Sequence, residues 1–159
     1  MRNILILLAL SLVHVPAMAA DYTRGFLGVQ SGVYTATGFL KTDMIPDIKF
    51  QSLRRLNGDV LSAETRAAVL GFPVTAKARL RIVFTSESSF ELLDLDQDSA
   101  VAGQGICDPS GCTFDVRVME GGLELHEKWV PVAGGFEVIE ASQTAFGLHS
   151  TYVASFSLR

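Results

Sequence analysis

The sequence predicts an all-β fold, a single antiparallel up-and-down barrel of about eight to ten strands with room for one short helix. Three observations carry this. Apolar residues recur every second position, as in Leu80, Ile82 and Phe84 or Phe114, Val116 and Val118, the period of a strand with one buried face. These runs are short, evenly spaced and separated by Gly, Asn, Asp and Pro punctuation such as Asn57-Gly58 and Gly134-Gly135. Sequential strands in such number leave two unpaired edges unless the sheet closes, and closure removes both.

The elements follow in order. Gly28 to Leu40 reads as a long strand or a bent pair, with Gly32 and Gly38 as candidate bulges. Ile48 to Leu56 is the next strand, ended by the Asn57-Gly58 hairpin signal. Residues 62–70 are ambiguous. They precede Gly71 and Pro73, the stop signals of a helix, yet Leu61, Ala63, Thr65, Ala67 and Val69 alternate. Lying at hairpin distance between two strands, they are assigned to a strand. Further strands are expected near residues 79–84, Phe90 to Leu95, Ala100 to Cys107, 113–118 and 123–129, then from Phe136 onward. Gly121-Gly122 supplies one of the turns, and a last strand runs from Leu148 to Leu158.

The first residues have a different character. Arg2 supplies a positive charge, Ile4 to Val13 is an uncharged apolar run, and Ala17-Met18-Ala19 is a small-x-small triplet. This is the pattern of a secretory signal peptide with cleavage after Ala19. The run is about half of what a membrane-spanning helix needs. Two segments follow: a signal over residues 1–19 and a barrel over residues 20–159. The mature protein is expected in the periplasm or outside the cell, with no membrane-spanning segment. Loss of the signal removes one charge, Arg2, and moves the net charge from −4 to −5. Mild acidity excludes the basic face of a nucleic-acid binder. The charge is also uneven. Lys41 to Arg81 holds eight basic and four acidic residues, and Glu87 to Glu140 two basic and twelve acidic.

Cys107 and Cys112 flank Asp108-Pro109-Ser110-Gly111. Asp followed by Pro at the second position and Gly at the fourth suits a type I turn. The two cysteines then face each other across a hairpin, and an exported chain meets an oxidising compartment, so a disulfide is expected. A redox dithiol has two intervening residues beside a helix N-terminus, and this loop has four in a β-turn. A zinc site through Cys107, Cys112 and His126 would need a second histidine close by. Twenty-two residues separate His126 from His149, outside the usual spacing. Asp94, Asp96 and Asp98 match the front of a calcium loop, but Ser99 and Gly105 stand where it needs Gly and Glu. No cofactor or metal is expected.

Two constellations point inward. Leu123, Leu125, Glu127 and Trp129 share one strand face, which places Glu127 among apolar residues, where a carboxylate demands a partner. Glu140 alternates with Phe136 and Val138, so it is expected beside Glu127. Convergence of the two in an open cleft would be the mark of an enzyme. Of the neighbours Arg54 and Arg55, one must face inward if the segment is a strand. An inward Arg54 could clamp the carboxylate or phosphate of an amphiphile. There is no Gly-x-Ser-x-Gly elbow and no phosphate-binding glycine loop.

The chain from about Gly25 to Leu158 resembles the calycin-like, lipocalin-type barrels of small exported bacterial proteins. Lipocalins open their first strand with Gly-x-Trp, and Gly32-Val33-Tyr34 stands here with Tyr at the Trp position. The basic residue that covers that Trp near the last strand has one candidate, Arg159. The expected function is non-enzymatic: binding of a small apolar or amphiphilic molecule inside the barrel. Arg54, Phe84, Glu127, Trp129, Phe136, Glu140, Tyr152 and Phe156 would line the site. The alternative is an accessory protein of the cell envelope acting through a surface contact, if those rings fill the interior.

Overall fold

Ten strands hydrogen-bond in sequence order until the last meets the first. The structure, a computed structural model, describes residues 31–118, 123–145 and 148–159. The proposed signal peptide and the Gly121-Gly122 turn lie outside those residues. The strands are β1 (Gly32–Thr42), β2 (Ile48–Asn57), β3 (Val60–Val69), β4 (Phe72–Phe84), β5 (Ser89–Asp94), β6 (Ala100–Asp108), β7 (Gly111–Val118), β8 (Leu123–Val132), β9 (Gly135–Ala145) and β10 (Leu148–Leu158). Every neighbouring pair is antiparallel, and β1 pairs with both β2 and β10, which closes the barrel. No helix occurs among the described residues, so none there is long and apolar enough to cross a membrane. Residues 62–70, ambiguous by pattern, belong to β3 up to Val69, because Ser52 and Thr65 pair across β2 and β3 and Ala63 pairs with Ala78 of β4.

The closed ring has two unlike ends. One carries the turns 57–60, 84–89, 108–111 and 132–135 and is called the disulfide end. There Gly58 takes a φ of 60°, the left-handed conformation that an Asn-Gly hairpin requires. Cys107 and Cys112 stand directly opposite in register with Cα atoms 4.0 Å apart and sulfurs at disulfide distance, both buried. The turn is held by Asp108, whose Oδ1 accepts from the Ser110 N–H (2.7 Å) and hydroxyl (2.5 Å). The Ser110 hydroxyl and then its amide hold that carboxyl below its ordinary pKa. Closing so short a loop removes little chain entropy. Replacing both cysteines by Ser is expected to cost about 2 kcal/mol, read as a lowered urea midpoint at unchanged slope.

The core is one continuous set of inward side chains from all ten strands. Its centre at the disulfide end is aromatic. Phe84, Phe90, Phe114, Trp129, Phe136 and Phe156 form a chain of ring contacts with centroids 4.2–6.2 Å apart. Gly105 makes room for this chain, since a Cβ there would collide with the Phe90 ring. Phe50 and Tyr152 meet edge to face separately at 5.3 Å.

Candidate functional site

Strand alternation places Arg54 inside and Arg55 outside on β2, as it places Glu127 and Trp129 inside on β8. Around the closed ring, β2 and β8 are four strands apart one way and six the other, so the two charges approach across the lumen. Arg54 donates through Nη1 to Glu127 Oε2 and through Nη2 to Oε1, both at 2.5 Å, a two-pronged contact with exposures of 6% and 1%. Trp129 Nε1 adds a bond to Oε2 at 2.6 Å, and the Tyr152 hydroxyl donates to Oε1. Each carboxylate oxygen therefore accepts two donors. The guanidinium carbon lies 4.9 Å from the Trp129 ring centre and 4.6 Å from that of Phe156, within cation–π range. The result is a strut from wall to wall, capped by rings on the disulfide side.

Of the eight residues expected to line the site, six gather in this cluster: Arg54, Glu127, Trp129, Phe136, Tyr152 and Phe156. Phe136 reaches it by stacking on Trp129 at 4.2 Å and Phe156 at 4.7 Å. Tyr34, at the position compared with the lipocalin Trp, tilts onto Phe136 at 5.3 Å. Burial raises its hydroxyl pKa above the usual value. Phe84 is half-buried at the far end of the ring chain, against Phe90.

Glu140 requires a correction. It lies on the exposed outer face, opposite Lys128, and not beside Glu127. The cause is a bulge in β9. Trp129 pairs with Val138 but Lys128 pairs with Glu140, which leaves Ile139 as an extra residue and reverses the phase beyond it. Ala141 takes the inward place opposite Glu127. The converging pair of carboxylates that an enzyme reading required is therefore not formed. The clamp expected of Arg54 is formed, but Glu127 of the same chain occupies it.

Beyond the strut, the inward side chains change size. At the end away from the disulfide, the inner face carries Ala36, Ser52, Ala63, Thr65, Ala67, Ala78, Ala102, Ala141, Gln143 and Ser150 beside the larger Leu40, Ile48, Phe50, Val116 and Leu125, and Ala63, Thr65, Ala67, Ala78 and Gln143 are partly exposed although they face inward. Ser52 and Thr65 hydrogen-bond by their hydroxyls at 2.9 Å. Arg54 Nε is buried with no hydrogen-bond partner, a donor whose desolvation is uncompensated by the protein. Sequence reasoning read Ala63, Thr65 and Ala67 as a strand's alternation but did not count them, or Ala78, among the site's lining.

The outside also has relief. A depression of about 1470 Å³ crosses β9, β10, β1, β2, β3 and β4. Arg55, Arg66, Lys77, Arg79 and Arg159 line it together with Glu64, Asp96 and Glu137. Arg66 donates to Glu64 at 2.7 Å, and that hydrogen bond first, then the charges of Arg66 and Lys77, lowers the Glu64 pKa.

No protein-family model matches the chain. No curated protein matches it either. Solved structures do. The crystal structure of Rv2717c from M. tuberculosis superposes with a TM-score of 0.53 at 12% identity, over 88% of this chain and 97% of that one. At that identity the likeness establishes a shared barrel fold and nothing about ligand or activity.

Proposed function

We propose that this chain is an exported, lipocalin-like barrel, periplasmic or secreted, that holds one small apolar or amphiphilic molecule in the half of its lumen away from the disulfide. The observation that carries this reading is the change in inward residue size across the strut. On one side, rings stack in contact. On the other, Ala, Ser and Thr interleave with the larger Leu40, Ile48, Phe50, Val116 and Leu125, and Ala63, Thr65, Ala67 and Ala78 on β3 and β4 retain partial exposure. Small closed barrels have an interior just wide enough for side chains or for one ligand, so a wall of small residues leaves ligand-sized room. The Arg54–Glu127 strut forms the floor. The unpartnered Arg54 Nε and the Ser52–Thr65 hydroxyls supply polar contacts for a head group, which favours an amphiphile over a pure hydrocarbon. The apolar N-terminal run and the paired cysteines support export.

Native mass spectrometry of the protein purified from its own compartment tests this. Extra mass that is lost on organic extraction is the expected result. Ala78→Phe, which fills the small-residue half, is expected to abolish that mass and to reduce uptake of an apolar dye at least about tenfold, the worth of roughly one buried apolar group. A clean apo mass with no dye uptake would overturn the carrier reading. It would leave the outer charged depression, and with it the accessory role through a surface contact, as the better account.

A further inference from the structure

The strands at the end away from the disulfide are of unequal length. β4 runs for 13 residues and β5 for six, and β4 pairs with β5 only over Leu80–Phe84. Phe72 to Ala78 thus have β3 on one side and no described strand on the other, so the β3–β4 hairpin stands clear of the wall. Its tip is apolar. Leu70 is 72% exposed, Phe72 74% and Val74 39%, and Met44, in the 42–48 loop at the same end, is 82% exposed. Leu70 has a φ of 51°, a left-handed turn position that Gly, Asn and Asp normally fill. A large apolar side chain is therefore displayed there against local backbone preference, the kind of conflict that collects at functional sites.

From these observations we infer that this end of the barrel docks, tip first, on an anionic lipid bilayer. Two features choose a bilayer over a protein strand adding to the open edge. Pro73 removes an edge donor and Lys77 places a charge on it, both devices that block strand addition. Behind the tip, the exposed side chains of Lys41, Lys49, Arg66 and Lys77 face outward. Asp43 and Asp47 beside Met44, Glu64 between Arg66 and Lys77, and Asp96 and Asp98 in the 94–100 turn of the same end offset them at the rim, so the basic excess rests on the outer wall of β1–β4 as a whole. All but Arg54 of the eight basic residues between Lys41 and Arg81 lie toward the outside, whereas the acidic excess belongs to β5–β9. The molecule is thus polarised so that an anionic surface attracts the side that carries the apolar tip. Apolar residues backed by cations are the makings of interfacial lipid binding, with about a fivefold gain in partitioning per basic residue near the surface. The inference does not depend on the lumen holding a ligand.

The test uses the protein as its host makes it, with vesicles of phosphatidylcholine alone or mixed equally with phosphatidylglycerol. The readout is placed at the tip, so that it reports on this surface alone. The tryptophan introduced by Phe72→Trp is expected to shift blue on anionic vesicles and to be quenched by lipids brominated in the acyl chain. Leu70→Ser with Phe72→Ser is expected to lower partitioning at least about tenfold. Arg66→Gln with Lys77→Gln is expected to lower it about 25-fold on the anionic vesicles and to leave the neutral ones unchanged. All these positions are exposed, so an unchanged far-ultraviolet spectrum verifies the fold. An introduced tryptophan that stays unquenched in the Phe72→Trp protein, or unchanged partitioning in the double Ser variant, overturns the inference. Concentration-dependent dimerisation without vesicle binding also overturns it and assigns the tip to a second copy of the chain.

Discussion

Glu127→Gln is expected to destabilise the barrel by about 3–5 kcal/mol, the range for breaking a buried ion pair by removing one partner. The substitution keeps the side chain's size and shape, so a cavity contributes little. What remains is a guanidinium at 6% exposure with no counter-charge. The amide also turns a donor toward Arg54, Trp129 or Tyr152, all of which donate to this carboxylate. Against a total stability of about 5–15 kcal/mol for a domain, the loss is large and is read directly from urea unfolding. The companion variant separates the pair from the packing. Arg54→Met combined with Glu127→Leu removes both charges and is expected to recover most of the loss, because apolar replacement of a whole buried pair is often neutral. If the double variant is as unstable as the single one, the strut matters for shape and not for charge.

Phe136→Ala is expected to cost about 3–5 kcal/mol, the usual range for truncating a buried aromatic. Phe136 is the hub of the packed half. Its ring lies nearly parallel to Trp129 (11°) and to Phe156 (10°), with Tyr34 tilted against it. Removal leaves a hole in contact with three rings at once, and two of them, Trp129 and Phe156, also cap Arg54. The near-ultraviolet circular dichroism of Trp129 should weaken together with stability. Ala63→Val, in the small-residue half, is expected to change stability by less than about 1.5 kcal/mol if space is available there. The contrast between these two sites is a direct reading of how unevenly the lumen is filled.

Much of the architecture was legible because a strand's period is short and local. Leu80, Ile82 and Phe84, or Tyr152, Ala154 and Phe156, announce their buried face within five residues. Asn57-Gly58 and the Asp108–Gly111 turn fix hairpins by backbone chemistry, and Leu148 to Leu158 emerges with the bounds its pattern suggested. The site was only half legible. Arg54 and Glu127 could each be seen to face inward and to need a partner, yet they are 73 residues apart. Nothing in the pattern of either strand says that closure will bring them together. Glu140 failed for a sharper reason. A bulge shifts the phase by one residue, and Phe136 to Ala141 contains no Gly or Pro to mark it. Alternation extrapolated across Ile139 therefore puts the carboxylate on the wrong side. The division of the lumen was invisible for a third reason. Small residues at 63, 67 and 78 on β3 and β4 gain meaning only when closure sets them across the lumen from Ala141 and Gln143.

The proposed carrier role comes down to unoccupied volume above a charged floor, and a high-resolution crystal structure of the host-purified protein examines that volume itself. The expected map shows ligand or ordered solvent between the Arg54–Glu127 pair and the alanines at 63, 78, 102 and 141, with an acceptor atom on Arg54 Nε. A map in which the Phe50–Tyr152 pair packs directly onto those alanines and Leu125, with no space for ligand or solvent between them, would contradict the account.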